Sequence, residues 1–119
     1  MALGSNTEAD KHMGIVQERL CALFAGIRFT ETLCTEPVGL PHSPCFLNVL
    51  AVFYTALPYR QVTETVKALE QVLGATKDEK RRGVVRMDID VLLFGTDKHH
   101  TADWSRPYLQ TLLGQAAGL

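Results

Sequence analysis

Val85-Arg86-Met87-Asp88-Ile89-Asp90-Val91-Leu92-Leu93-Phe94 is the stretch on which the fold turns. Successive strand residues point to opposite faces. The odd positions Val85, Met87, Ile89, Val91 and Leu93 then make one unbroken apolar face, fit to pack on helices. The even positions put Arg86, Asp88 and Asp90 on the other face. Two carboxylates at that spacing lie roughly 6.5–7 Å apart along the strand and repel each other unless a cation sits between them. A hard divalent ion such as Mg²⁺, held by a couple of carboxylates plus substrate phosphates, meets that need. The plainer alternative is a solvated strand face with incidental charges.

Upstream of the acidic strand, Thr76 to Gly83 reads as a charged loop carrying Lys77, Lys80, Arg81 and Arg82. Such a loop is usually just solvated, but beside a Mg²⁺ site it becomes a clamp for triphosphate oxygens. Before it, Val62, Val66, Leu69 and Leu73 form a helical stripe, opened near Pro58 and closed by Gly74. Phe46 to Thr55 is nearly all apolar and reads as a buried strand interrupted by Asn48. A buried amide must find partners, either backbone groups or a polar heterocycle wedged beside Phe46.

Thr35 to Pro44, with three prolines and a glycine, is a loop, and Ile27 to Cys34 is a strand. Met13, Val16, Leu20, Leu23 and Ile27 make an earlier helical stripe, and Thr7 with Asp10 resembles a capping box at its start. Leu3-Gly4-Ser5-Asn6 ends a short first strand. Downstream come a turn at Gly95-Thr96-Asp97 and a short helix within Trp104 to Ala117. His99 and His100 could bind metal, but adjacent histidines in a turn more often simply face water. The order predicts an α+β sandwich of ferredoxin-like type, a mostly antiparallel sheet with helices packed on one face.

The 119 residues predict one domain over 1–119, and 46% hydrophobic with 21% charged residues is ordinary for a globular protein. A net charge of -1 argues against a nucleic-acid binder. No apolar run reaches the roughly 18 residues of a membrane span. The N-terminus lacks signal-peptide features. Three cysteines without CxxC spacing (Cys21, Cys34 and Cys45) read as reduced thiols of a cytoplasmic protein. Nothing matches GxxxxGK[ST], so a nucleotide site here is not of Walker type.

In order and spacing, several pieces resemble the 6-hydroxymethyl-7,8-dihydropterin pyrophosphokinase family. They are Ala2-Leu3-Gly4-Ser5-Asn6, Thr35-Glu36-Pro37-Val38-Gly39, Phe46-Leu47-Asn48, Leu69-Glu70, Leu73-Gly74 and Asp88-Ile89-Asp90-Val91-Leu92-Leu93-Phe94-Gly95. They span about four fifths of the chain, and the acidic run combined with Phe46-Leu47-Asn48 is the specific part. The resemblance implies a ferredoxin-like fold and Mg-dependent transfer of the β,γ-pyrophosphoryl unit of ATP to the pterin hydroxymethyl group. It implies two Mg²⁺ on Asp88 and Asp90. It places Thr35, Pro37, Val38, Phe46, Asn48 and Tyr108 at the pterin, and Lys67, Glu70, Val91 and Arg106 at the nucleotide. Arg81 is implied as a loop arginine closing over the phosphates, with Arg86 as the second arginine.

Arg82 stands where the family usually has tryptophan, and Val85 where it has that second arginine, one residue before Arg86. Past the turn, Asp103-Trp104-Ser105-Arg106-Pro107-Tyr108-Leu109 is a shortened version of the family's segment without its Pro-His, and Arg106 and Tyr108 are the counterparts. These departures keep two other readings open: a pterin- or nucleotide-binding relative without efficient turnover, and a ferredoxin-like interaction module. The loops at Pro37 to Pro44 and Thr76 to Gly83 are the expected lids.

Overall fold

Short strands with alternating faces and two helical stripes meet in an α+β architecture. The computed structural model describes residues 1–35, 45–74 and 76–119. The main sheet holds β1 (Ala2–Ser5), β2 (Arg28–Phe29), β3 (Leu33–Thr35), β4 (Phe46–Val52) and β5 (Asp88–Asp90). Its order is β2-β4-β1-β5, with β3 also on β4, and every pairing is antiparallel. β5 is therefore an edge strand.

Helix α1 (Ala9–Leu23) buries Met13, Val16 and Leu20, and α2 (Tyr59–Val72) buries Val62, Val66 and Leu69. Both stripes pack against the odd-numbered strand residues Leu3, Val49, Ala51, Met87, Ile89 and Val91. After a five-residue helix α3 (Lys77–Arg81), α4 (Pro107–Ala116) adds a smaller layer on the opposite face. There Leu109 and Leu112 pack with Leu50 and Leu92. Pro107 occupies the first turn of α4, where its missing N–H costs nothing.

Several boundaries differ from the expectation, each for a local reason. The run from Val84 to Phe94 is not one strand. Pairing to β1 stops at Asp90, Leu92 turns toward α4, and Leu93–Phe94 forms β6 in a separate hairpin with β7 (Asp97–Lys98). Leu93 is consequently 49% exposed rather than part of an apolar face. The charged loop is helical over α3, capped by Thr76, whose side chain accepts from the Glu79 N–H. The capping box at Thr7 does not form: Glu8 is the N-cap residue, without a side-chain cap, and Thr7 Oγ1 donates to Asn6 Oδ1. Asn6 ties the start of the acidic segment to β1, accepting from Val85 N–H at 2.7 Å and donating to Gly83 O at 2.7 Å.

The expectation of three reduced cysteines is corrected. Pairing of β3 with β4 brings Cys34 and Cys45 to a Cα–Cα distance of 5.8 Å, and a disulfide joins them; Cys21 is a free, exposed thiol. Spacing alone concealed this, because only the strand register makes the two positions neighbours. The bond closes a loop of 11 residues in sequence separation. On chain-entropy grounds its reduction should cost about 3 kcal/mol. Urea unfolding with and without dithiothreitol, beside a thiol count on the native chain, checks this. An unchanged midpoint would show that the bond contributes no stability.

Candidate functional site

The central strand β1 contributes the smallest side chains of the sheet at the place where most chemistry gathers. Ala2 lies between Leu50 and Asp90, and Gly4 between Asn48 and Asp88. With no bulk on β1, the even-numbered face forms a trough with Asn48 on one side and the two carboxylates on the other. Thr35 and Phe46 extend one wall; Asp103, Arg106, Pro107, Tyr108 and Leu112 form another. The recess measures about 550 Å³, within the usual range for small-molecule sites. A larger hollow of about 740 Å³ involves Tyr54, Phe94 and Trp104, but no charged side chain lines it. The chemistry therefore points to the smaller one.

Asn48 finds backbone and side-chain partners for its amide nitrogen. Its Nδ2 donates to Thr35 Oγ1 at 2.9 Å and to Phe46 O at 3.3 Å. Among the described residues no donor reaches its Oδ1, which lies 3.6 Å from where a Cβ on Gly4 would stand. Backbone and Thr35 thus fix the amide, and its oxygen remains as an acceptor on the recess side.

Two lysines and a histidine stand around the acidic pair. Lys80 Nζ donates to Asp88 Oδ1 at 3.1 Å. Lys67 Nζ contacts Asp90 Oδ1 at 3.3 Å, and His100 Nε2 stands 3.6 Å from the same oxygen. His99 stacks on Tyr59 with ring centroids 4.2 Å apart, and Trp104 Nε1 donates to the His99 carbonyl. That anchoring presents His100, which adopts a left-handed backbone (φ 52°), toward Asp90. The expectation that both histidines face water holds for the exposed His100, which nevertheless stands beside Asp90, and is corrected for His99, which is partly buried against Tyr59.

Glu70 and Lys67 reach the acidic strand from α2. The outward-facing Ile89 N–H donates to Glu70 Oε1 at 2.6 Å, and Lys67 Nζ donates to the Ile89 carbonyl at 2.7 Å. Two side chains thus satisfy the free edge of β5 as a neighbouring strand would.

Burial, then the neighbouring Asp88 charge, pushes the Asp90 carboxyl above its usual range despite Lys67 and His100. Burial likewise raises Glu70, against the Ile89 N–H and Lys67. Burial alone would lower the Lys67 ammonium, but the hydrogen bond and charge of Glu70, followed by Asp90 and Asp88, outweigh it and raise it.

Among the described residues, no group of three or more His, Cys, Asp or Glu side chains could hold a metal ion. Asp90, which burial makes reluctant to ionise, and its neighbour Asp88 suit the other mode of Mg²⁺ binding, one or two protein carboxylates completed by substrate phosphates.

Of the residues singled out in the sequence, Thr35, Phe46, Asn48, Asp88, Asp90, Arg106 and Tyr108 converge on the recess. Lys67 and Glu70 touch its acidic strand from behind. Val91 is buried on the helical face. Arg81 is largely exposed and pairs with Asp78 at 3.6 Å. Arg86 lies beside Gly74 and is held by Glu79 at 2.8 Å, so neither arginine lines the recess. Pro37, Val38 and the rest of the Pro37–Pro44 loop lie outside the described residues. Sequence reasoning missed Ala2, Gly4, Asp103 and Pro107 as lining residues, and singled out Lys80 only within a basic cluster. The small residues carried a usable signal, since a central strand with glycine leaves space for a ligand.

Comparison with known proteins identifies the family. The chain is 30% identical over 121 residues to an Arabidopsis thaliana protein described as "Folate synthesis bifunctional protein". The match covers 92% of this chain but 25% of that protein, so the chain spans about a quarter of its relative's length. The family model for 7,8-dihydro-6-hydroxymethylpterin-pyrophosphokinase matches residues 1–116, nearly the whole trough and every wall just described. The chain belongs to the 7,8-dihydro-6-hydroxymethylpterin-pyrophosphokinase family.

Proposed function

We propose that the chain transfers the β,γ-pyrophosphoryl unit of ATP to the hydroxymethyl oxygen of 6-hydroxymethyl-7,8-dihydropterin, in the presence of Mg²⁺, and releases AMP. The observation that carries this reading is the convergence of Thr35, Phe46, Asn48, Asp88, Asp90, Arg106 and Tyr108 around one recess. Phe46 offers an aromatic face to the pterin ring, and Asn48 Oδ1 accepts from its N–H edge. Asp88 and Asp90 would hold Mg²⁺, which when bound neutralises triphosphate charge. Arg106 and Lys80 supply further positive charge. The new O–P bond forms at the β-phosphorus as the α,β-anhydride bond breaks; AMP leaves with the bridging oxygen, and the hydroxymethyl proton passes to water. Such a transfer asks a protein mainly for alignment and charge neutralisation. The site residues are part of this proposal.

AMP formation from Mg-ATP with the pterin, beside a control without pterin, tests it. Pterin-dependent AMP is the expected result. A second reading, a binding relative without efficient transfer, draws on Arg81 and Arg86, which pair with Asp78 and Glu79 instead of lining the recess. Pterin and nucleotide binding without AMP would select it.

Gly4 gives a sharper test of where the pterin sits. A methyl group there meets Asn48 Oδ1 at 3.6 Å and Phe46 Cδ1 at 4.0 Å, ordinary contacts that the fold tolerates. It would nevertheless occupy the trough between the two proposed pterin contacts. Gly4→Ala should raise the pterin KM about tenfold, roughly 1.4 kcal/mol of binding, with little change in the urea midpoint. An unchanged KM would move the pterin elsewhere.

A further inference from the structure

The Cys34–Cys45 bond lies directly behind the wall that carries the proposed pterin contacts. β3 sets Thr35 opposite Phe46, Cys34 opposite Leu47 and Leu33 opposite Asn48. Strand alternation turns Thr35, Phe46 and Asn48 to the recess and Cys34, with Leu47, to the other face. Cys45, next to Phe46, joins Cys34 there. We propose that this disulfide is a redox control point of the site: reduction by a dithiol loosens β3 and lowers pterin affinity, and reoxidation restores it. The inference rests on the pterin reading of the recess given above.

Three observations carry it. First, β3 is three residues long, has no fully buried side chain and, among the described residues, pairs with β4 alone. Its rungs, the half-buried Leu33 and the disulfide hold it in place, and so short a pairing is marginal by itself. Second, β3 supplies the Asn48 amide nitrogen with Thr35 Oγ1 at 2.9 Å and Leu33 O at 3.5 Å, whereas Phe46 O comes from its own strand. Asn48 is buried, so an amide released by β3 must turn to other partners, and its Oδ1 turns with it. Third, a reductant reaches the bond without entering the recess, since Cys34 is exposed and Cys45 half-buried. A thiolate of the dithiol attacks Cys34 Sγ, and the Cys45 sulfur leaves as a thiolate. The second thiol of the reductant then displaces Cys34. Two electrons and two protons pass to the protein as two thiols, and the dithiol ends as its own disulfide.

Calorimetric titration with 6-hydroxymethylpterin, in the presence of Mg²⁺ and α,β-methylene-ATP, compares the oxidised chain with the chain reduced by dithiothreitol. Both carry Cys21→Ser, which removes the remaining thiol. A wall kept by about one reduced chain in ten weakens binding about tenfold, and reoxidation should recover the affinity. Cys34→Ser combined with Cys45→Ser should match the reduced chain in either buffer, which separates the bond from any other effect of the reductant. Amide protection should fall in β3 on reduction and persist in β1. Equal affinities in the two redox states would overturn the inference and leave the pterin reading standing. Loss of protection throughout the sheet on reduction would do the same, because the bond would then hold the whole fold and not the wall. Three free thiols counted on the native chain would overturn it as well. No pterin binding by the oxidised chain would sink the pterin reading, and the inference with it.

Discussion

Asp90→Asn should lower pterin-dependent AMP release by at least about a hundredfold, roughly 2.7 kcal/mol of barrier, while making the unliganded chain more stable at neutral pH. The two effects have one cause. Asp90 is raised above the usual carboxylate range by burial and by Asp88 beside it, and neither Lys67 nor His100 fully offsets this. The folded chain therefore resists the charge that the proposed metal site needs. An amide of the same shape keeps a hydrogen-bonding oxygen for Lys67 and removes the repulsion. Its gain should be about 1 kcal/mol, the common size of a single stabilising substitution. Urea unfolding and the AMP assay on the same preparations check both halves. A variant that loses stability and activity together would show that Asp90 supports the fold instead of straining it.

The stability half has a signed pH dependence. A carboxyl raised in the folded state binds its proton there more tightly than in the unfolded chain, so folding is penalised as pH climbs from the ordinary value toward the folded one. The advantage of Asp90→Asn should be absent below the ordinary aspartate value of 3.8. It should grow as pH rises through the folded value and be complete above it. Mg²⁺ should narrow the gap between the two chains by stabilising the native one alone.

What the sequence disclosed follows from how locally each feature is encoded. Opposite facing of Met87, Ile89 and Val91 against Asp88 and Asp90 needs only strand alternation, and it holds. The helical stripes through Val16 and Leu20, and through Val62 and Val66, are equally local. The same parity argument fails for Arg86 and Leu93, two or more residues beyond the paired length of β5, where other partners take over. Glu79 takes the arginine, and the hairpin exposes the leucine. The trough was hidden for another reason. Ala2 and Gly4 become a floor only once β1 lies between β4 and β5, a long-range arrangement that a four-residue strand cannot announce. The Cys34–Cys45 bond depends in the same way on the register of β3 against β4.

Glu70→Leu should cost about 2–3 kcal/mol, whereas Glu70→Gln should stay within about 1 kcal/mol of the native chain. At the edge of β5 the Ile89 N–H has, among the described residues, no strand to pair with, and Glu70 Oε1, at 2.6 Å, is its acceptor. Leucine fills similar space on α2 but orphans that buried donor and removes the ion-pair partner of Lys67. Glutamine retains a carbonyl acceptor. It forgoes a charge that burial already disfavours, since Glu70 too is raised above its ordinary range. Amide exchange at Ile89 separates the two contributions: protection should collapse in the leucine variant and persist in the glutamine one. Equal destabilisation by both substitutions would mean that Glu70 acts through its charge on Lys67 and not by capturing the strand edge. Because Ile89 sits between the two metal-facing aspartates, a loosened edge should also weaken Mn²⁺ retention in the leucine variant, tying the stability of one backbone N–H to the geometry of the site.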